Sequence, residues 1–534
     1  GINTLIGFRA GYDIVGGTEN TFVGASAGLL TTAVVGATLI GREAGGGGIM
    51  TADANHTTAV GYASLYALTE GQYNTAVGYR GLNANQTGDG CTAIGYDSLL
   101  LSTGNDNSAM GRNSLASNTS GASNTGLGIH AGFGNATGSG NVYVGSSAGK
   151  GVANNNNSNN VGIGFDAMVA VTTGSENVAI GKTSMQDANT ASGVVAVGVE
   201  SAYNITSGSE SVAIGKQALY TATTVGANTA VGYQALKLNA VASNTAVGHT
   251  AGMNTTGTLN TYVGSAAGKG GAGAETHNTG VGANALLSIT TGTYNVAVGS
   301  RCGDAITTGH QNTFLGDFAG GTTQDVGFAT ALGHGAMGSA NTTSAADGTV
   351  AVGTNALELL TSGADNLAIG HGAAILLTTG GNNTVVGQHA FDAAAHDESD
   401  NVVIGLGAMG AAAQGGASGD NNREIKQNIA IGSGALMGGT LASTNHLQAC
   451  IAIGHNALDA TNDAHHIGEI AIGYAALGAL TSGTGNTAIG YECLDATDDG
   501  SYNTAVGLQA LSANCGNENT AIGYQALLVN TAGD

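Results

Sequence analysis

Asn228-Thr229-Ala230-Val231-Gly232-Tyr233-Gln234-Ala235-Leu236 is one full copy of a phrase that returns from one end of the chain to the other. Variants of it begin at Asn3, Asn20, Asn74, Asn177, Asn295, Asn366, Asn486 and Asn503. Taking its first glycine as a marker gives 30 copies, from Gly7 to Gly523. The commonest spacing is 17 residues, as in Gly61–Gly78–Gly95 and Gly181–Gly198–Gly215–Gly232. A fixed period of this length marks a repeat architecture, in which each unit buries its apolar side against its neighbours. Because the repeat fills residues 1–534, the expectation is one continuous array with no internal domain boundary.

Each position of the phrase has a physical reading. The residue before the marker is apolar in all 30 copies and Val or Ile in 26 of them, as at Val77, Val231 and Ile489. That β-branched preference fits a strand. The residue before it is usually Ala, as at Ala76 and Ala230. Adjacent strand residues point to opposite faces, so both faces are apolar and two covers are expected. Three residues after the marker the side chain is always small (Gly81, Ala235, Cys493), and the next is mostly Leu or Met (Leu82, Leu236).

Six copies depart from this pattern together. Leu5, Phe22, Leu39, Tyr143, Tyr262 and Phe314 stand two residues before their markers, and the usual Leu is then Gly11, Gly28, Gly45, Gly149, Gly268 or Gly320. Such an exchange conserves volume in a close-packed interior. The two positions therefore share one interior, and the chain folds back on itself within each repeat.

The opening asparagine (Asn74, Asn228, Asn486) recurs in 21 of the 30 copies and is spaced to form a stacked amide ladder. The marker glycine (Gly78, Gly232, Gly490) is expected at a positive φ or a close backbone approach. Runs such as Thr172–Gly174 and Thr361–Gly363 mark the opposite turn. An apolar period of two and abundant glycine argue against helices. The expected fold is an all-β parallel β-solenoid or β-roll, with two short strands per coil.

Composition narrows the functional classes. There are 93 Gly but no Pro and no Gly-X-Y period, which excludes collagen. With 42% hydrophobic residues at regular spacing, the chain is not of the disordered class. The formal charge of −23, without a basic cluster, argues against nucleic acid and anionic membrane surfaces as partners. The most apolar stretch, Gly28–Gly41, is broken by Thr31, Thr32 and Thr38, so no membrane insertion is expected. The chain opens at Gly1, and it is expected to be a processed product or one segment of a longer polypeptide.

Glu210-Ser-Val-Ala-Ile-Gly215 and Asn177-Val-Ala-Ile-Gly181 resemble the head repeats of trimeric autotransporter adhesins. The longer Asn519–Leu527 is more similar to the repeats of bacteriophage tail-fibre and related virion appendage proteins. The resemblance covers nearly the whole chain. It implies a homotrimeric rod in which copies of the chain are packed or intertwined, an extracellular place on a virion surface, and a spacer role in host attachment. The alternative it implies is a bacterial cell-surface adhesin or extracellular filament. The adhesin's membrane anchor and coiled-coil stalk are not found here, nor are a tail fibre's chaperone domain and receptor-binding tip.

Several segments spell catalytic or binding motifs within the repeat. Gly24–Gly28 and Gly145–Gly149 match the nucleophile-elbow pattern around Ser26 and Ser147, but at the ordinary position after the marker. Gly145–Lys150 is one residue short of a phosphate loop. Cys302 and Cys493 take the small slot, Cys91 and Cys450 the asparagine slot, and with Cys515 the odd count leaves room for an interchain bond. His249, His334, His371 and His455 follow marker glycines and read as surface side chains. The acidic runs Asp397–Asp400 and Asp495–Asp499 read as solvated turns rather than calcium loops. No catalytic, cofactor or metal residue is assigned, and no enzyme activity is expected. The longest spacing, 27 residues from Gly405 to Gly432, predicts a loop insertion over 410–427. Its Asp420, Arg423, Glu424 and Lys426 are the candidates for contact with a host receptor or glycan.

Overall fold

A computed structural model describes the chain except residues 272, 415–423, 442–445, 462–464 and 531–534. The described residues form two compact units, Gly1–Leu259 and Asn260–Asp534. Each unit is a parallel β-solenoid. In the first, fifteen three-residue strands run from Thr4–Ile6 to Thr245–Val247, each paired in parallel with the next. In the second, fifteen more run from Thr261–Val263 to Thr520–Ile522 in the same arrangement. The register pairs equal positions of the phrase, as in Thr75↔Thr92, Ala76↔Ala93 and Val77↔Ile94. Among the described residues the only helical segments are the 3₁₀ turns Ala52–Ala54 and Ser344–Ala346, and no helix is long and apolar enough to cross a membrane.

The expected second strand is absent from the ordinary coil. After the marker, alternate residues are left-handed: Gly78 has φ 130°, Arg80 52° and Leu82 51°. Successive turns still bond through the backbone there, with Arg80 N donating to the Tyr62 carbonyl at 2.9 Å and Leu82 N to the Ser98 carbonyl at 3.0 Å. A left-handed non-glycine residue costs ~1–2 kcal/mol. The inter-coil hydrogen bonds and the buried Leu, worth ~1.5–3 kcal/mol in apolar burial, offset it. A second strand does form in the three long coils of the second unit. There Glu424–Lys426, His446–Gln448 and His466–Ile467 make a parallel side sheet, and Ala413–Gln414 pairs with Thr440–Leu441.

The core runs down the inside of each coil. Ala76, Leu82, Ala230, Ala235 and Leu236 are fully buried. The volume exchange read from the sequence is direct contact. A Cβ on Gly28 would stand 2.8 Å from the Phe22 ring, and one on Gly45 2.9 Å from Leu39. Tyr143, Tyr262 and Phe314 fill the space over Gly149, Gly268 and Gly320 in the same way. Glycine suits that slot twice over, since the position is left-handed in any case (Gly28 φ 58°). At the marker, a side chain on Gly78 would run into the carbonyl oxygen of Gly95 on the next turn.

The asparagine ladder also forms. Asn141 Nδ2 donates to Asn124 Oδ1 at 2.9 Å and Asn503 Nδ2 to Asn486 Oδ1 at 3.1 Å. Each asparagine also donates to a carbonyl in the following turn, as Asn74 does to Gly88 at 2.8 Å. Two or three hydrogen bonds per buried amide satisfy a group that would otherwise be costly to enclose.

Candidate functional site: the outward face of the strand ladder

The middle residue of every strand points inward and the residues on either side of it point outward. Ala76 and Ala230 are buried, whereas Thr75, Val77, Thr229 and Val231 are only half-buried. One apolar face of the strand is thus covered by its own chain, and the other face has no cover from it. The outward residues stack into two columns. One holds the Val or Ile before each marker, and the other holds Thr or an aliphatic residue two positions earlier.

The columns carry no charged residue in any of the 30 copies. Their apolar members are open to solvent in the single chain: Ile489 is 38% exposed, Ile180 37% and Met110 49%. Fifteen strands at ~4.8 Å and three residues at ~3.3 Å make a face of about 70 by 10 Å in each unit. That is about 700 Å², close to the ~800 Å² per partner of a stable interface. Around Ser108, which stands in place of Thr, the face has a depression of about 170 Å³, also lined by Thr92, Met110, Thr125, Gly126 and Leu127. Surface of this extent and composition marks a candidate interaction face.

The residue after the marker forms a different surface. Tyr62, Tyr79 and Tyr96 stack at 5.3 and 5.0 Å between ring centres, and His455, Tyr474 and Tyr491 at 5.4 and 5.0 Å. His249 stacks on Tyr233 at 5.2 Å. These rings cover one another's faces and turn their edges outward. Arg80 packs beside Tyr79 and makes a bidentate pair with Asp97 at 2.9 and 2.6 Å. Its guanidinium pKa is raised by that bond.

The other sequence candidates separate on this framework. Ser26 and Ser147 occupy the left-handed turn slot that also takes Glu43 and Arg80, so their Gly-x-Ser-x-Gly spelling is turn geometry. All five cysteines are buried free thiols. Burial pushes Cys302 and Cys450 up to about 12 and Cys493 to about 11, which keeps them protonated and unreactive. An interchain disulfide does not fit that burial. The Glu398 carboxylate is spent on its own turn, accepting from His396 N at 2.8 Å and Ala395 N at 3.2 Å. Asp498 accepts from Asn514 Nδ2 at 2.7 Å. Among the described residues no cluster of three or more His, Cys, Asp or Glu could hold a metal ion.

Of the predicted contact loop, Asp420 and Arg423 lie outside the described residues. The backbone of Glu424 and Lys426 lies in the side sheet, opposite His446 and Gln448. Sequence reasoning did find both apolar faces of the strand, but could not say which one the chain covers by itself. Comparison of the sequence with models of known protein families and with curated proteins finds no match.

Proposed function

We propose that this chain is a structural fibre protein whose outward strand face packs against other copies of itself. The observation that carries the reading is the column of mostly Val and Ile in each unit, uncharged in every copy and open in the single chain. A soluble monomer seldom leaves so long an apolar strip uncovered. A second copy presents the same strip at the same period, so that register is self-complementary, the condition for symmetric association. The homotrimer implied by the resemblance is the assembly that would bury it. The role is read as mechanical rather than catalytic: the thiols are enclosed and the Glu398 carboxylate is engaged in its own turn.

The repeat's likeness to virion appendage proteins supports reading the fibre as a rigid spacer for host attachment on a virus particle. The test is electron microscopy of the native source material with an antibody against this chain. Label along thin fibres on virus particles is the expected result. Label on cell envelopes or free filaments would move the protein to the adhesin class.

A further inference from the structure

The amide ladder of the second unit is interrupted by a carboxyl group. Asn428, Cys450, Glu469 and Asn486 fill the phrase-opening slot of four successive turns. An asparagine there does two things. Asn486 receives the Asn503 backbone N–H on Oδ1 at 2.9 Å and donates from Nδ2 to the Gly500 carbonyl at 2.8 Å. Glu469 does only the first of these. Its Oε2 receives the Asn486 N–H at 2.9 Å, while Oε1 is enclosed without a hydrogen-bond partner. A carboxylate can only accept hydrogen bonds, whereas a carboxylic acid has a proton to donate.

The surroundings offer an ionised Glu469 hydrogen bonds from one side but no opposite charge. On the preceding turn it faces the Cys450 thiol, which burial keeps protonated. On the following turn Asn486 and the Gly485 backbone donate to it, which favours the ionised form but less than burial opposes it. On its own turn the nearest titratable side chain in sequence is His466, fully buried with neither ring nitrogen bonded. None of the ion pairs among the described residues includes Glu469. An isolated buried carboxylate of this kind is strongly disfavoured.

We propose that Glu469 is a protonation latch: the strands Ile451–Ile453, Ile470–Ile472 and Thr487–Ile489 stay paired around it while this carboxyl holds its proton, and open locally when the proton is lost. Burial pushes the group up to about 8. The open chain releases the same proton in the ordinary carboxylate range. Between those limits the open state binds fewer protons than the closed one, so closure weakens steadily as pH rises to about 8. His466 works in the opposite sense. Burial holds it down at about 4, and its contribution is lost as pH falls from the ordinary histidine range toward that value. The two slopes oppose each other in mild acid, which becomes the range of greatest local stability.

The test is amide hydrogen exchange of the full chain at about pH 6 and about pH 9, corrected for the intrinsic chemistry of exchange. The Asn486 amide, bonded to the latch, is compared with the Asn312 amide, bonded to Asn295 in an unbroken part of the ladder. Linkage predicts that Asn486 loses about 10- to 100-fold in protection over this interval while Asn312 does not. In Glu469→Asn, which installs the residue found in 21 of 30 slots, that extra loss should vanish. Equal loss at Asn486 and Asn312 in the wild type would overturn the proposal without reference to the variant. So would an unchanged pH response in Glu469→Asn.

Discussion

The turns from Thr58 to Ile94 and those from Val161 to Ile214 have nearly the same inside and different outsides. Inside, both carry small residues on the strand and mostly Leu or Met on the turn, such as Ala76 with Leu82 and Ala179 with Met185. Outside, the first stretch pairs Thr58, Thr75 and Thr92 with Val60, Val77 and Ile94. The second is aliphatic in both columns, with Val161 beside Ile163 and Val212 beside Ile214. Over the whole chain the position before the marker is never polar, while the one two residues earlier is Thr or Ser in 18 of 30 copies. The outward face therefore has a strict column and a tolerant one. On the proposed packing, the strict column would lie at the centre of the interface and the tolerant one at its wetter rim, the anatomy of protein interfaces in general.

The sharpest way to break that comparison is to put charge into the strict column of the aliphatic stretch. Ile180→Lys with Ile214→Lys would bury unpaired ammonium groups, at a combined cost of about 4 kcal/mol or more. Sedimentation velocity should show association weakened roughly 1000-fold. Val60→Lys with Val77→Lys should act in the same direction but less strongly, because the neighbouring threonines admit water.

The inside should respond in the other currency, folding stability. Leu82→Ala removes a fully buried side chain from a close-packed core and should cost about 3 kcal/mol in denaturant unfolding. Val77→Ala should cost well under half of that in a dissociated chain. The ladder ranks next. Asn228 receives the Asn244 N–H at 3.0 Å and donates to the Val241 carbonyl at 3.0 Å. Asn228→Ala would leave a buried N–H unpaired and should cost about 2 kcal/mol. The smallest effect is expected from Thr75→Val, which makes one turn of the first stretch resemble the second. It should shift stability by no more than about 0.5 kcal/mol, and association should be kept or slightly strengthened.

Much of this was legible in the sequence because the signals were steric. The marker glycine, the small slot, and the exchange of Leu82-type residues for a Phe22–Gly28 pair all report one interior volume, and the contacts of Gly28 with Phe22 confirm it. The asparagine ladder was legible because its donors and acceptors repeat at the coil spacing. The missing second strand was not legible. Arg80 and Leu82 adopt φ near +50°, which their types disfavour, and inter-coil bonding together with burial of the Leu selects it. The side sheet around His446 and His466 escaped notice because its strands hold only two or three residues and lack the phrase. At the candidate site, alternation revealed two apolar faces. Which one the chain covers depends on the direction of its turn, and that is a tertiary fact.

The most direct test of the central claim is the mass of the purified chain in solution, measured by sedimentation equilibrium across a range of concentrations. The account predicts a stable multiple of the single-chain mass, three being the multiple implied by the repeat's resemblance, reverting to one in the Ile180→Lys, Ile214→Lys variant. A wild-type chain that stays monomeric and soluble at every concentration would contradict it, because the Val and Ile column would then be a face that faces only water.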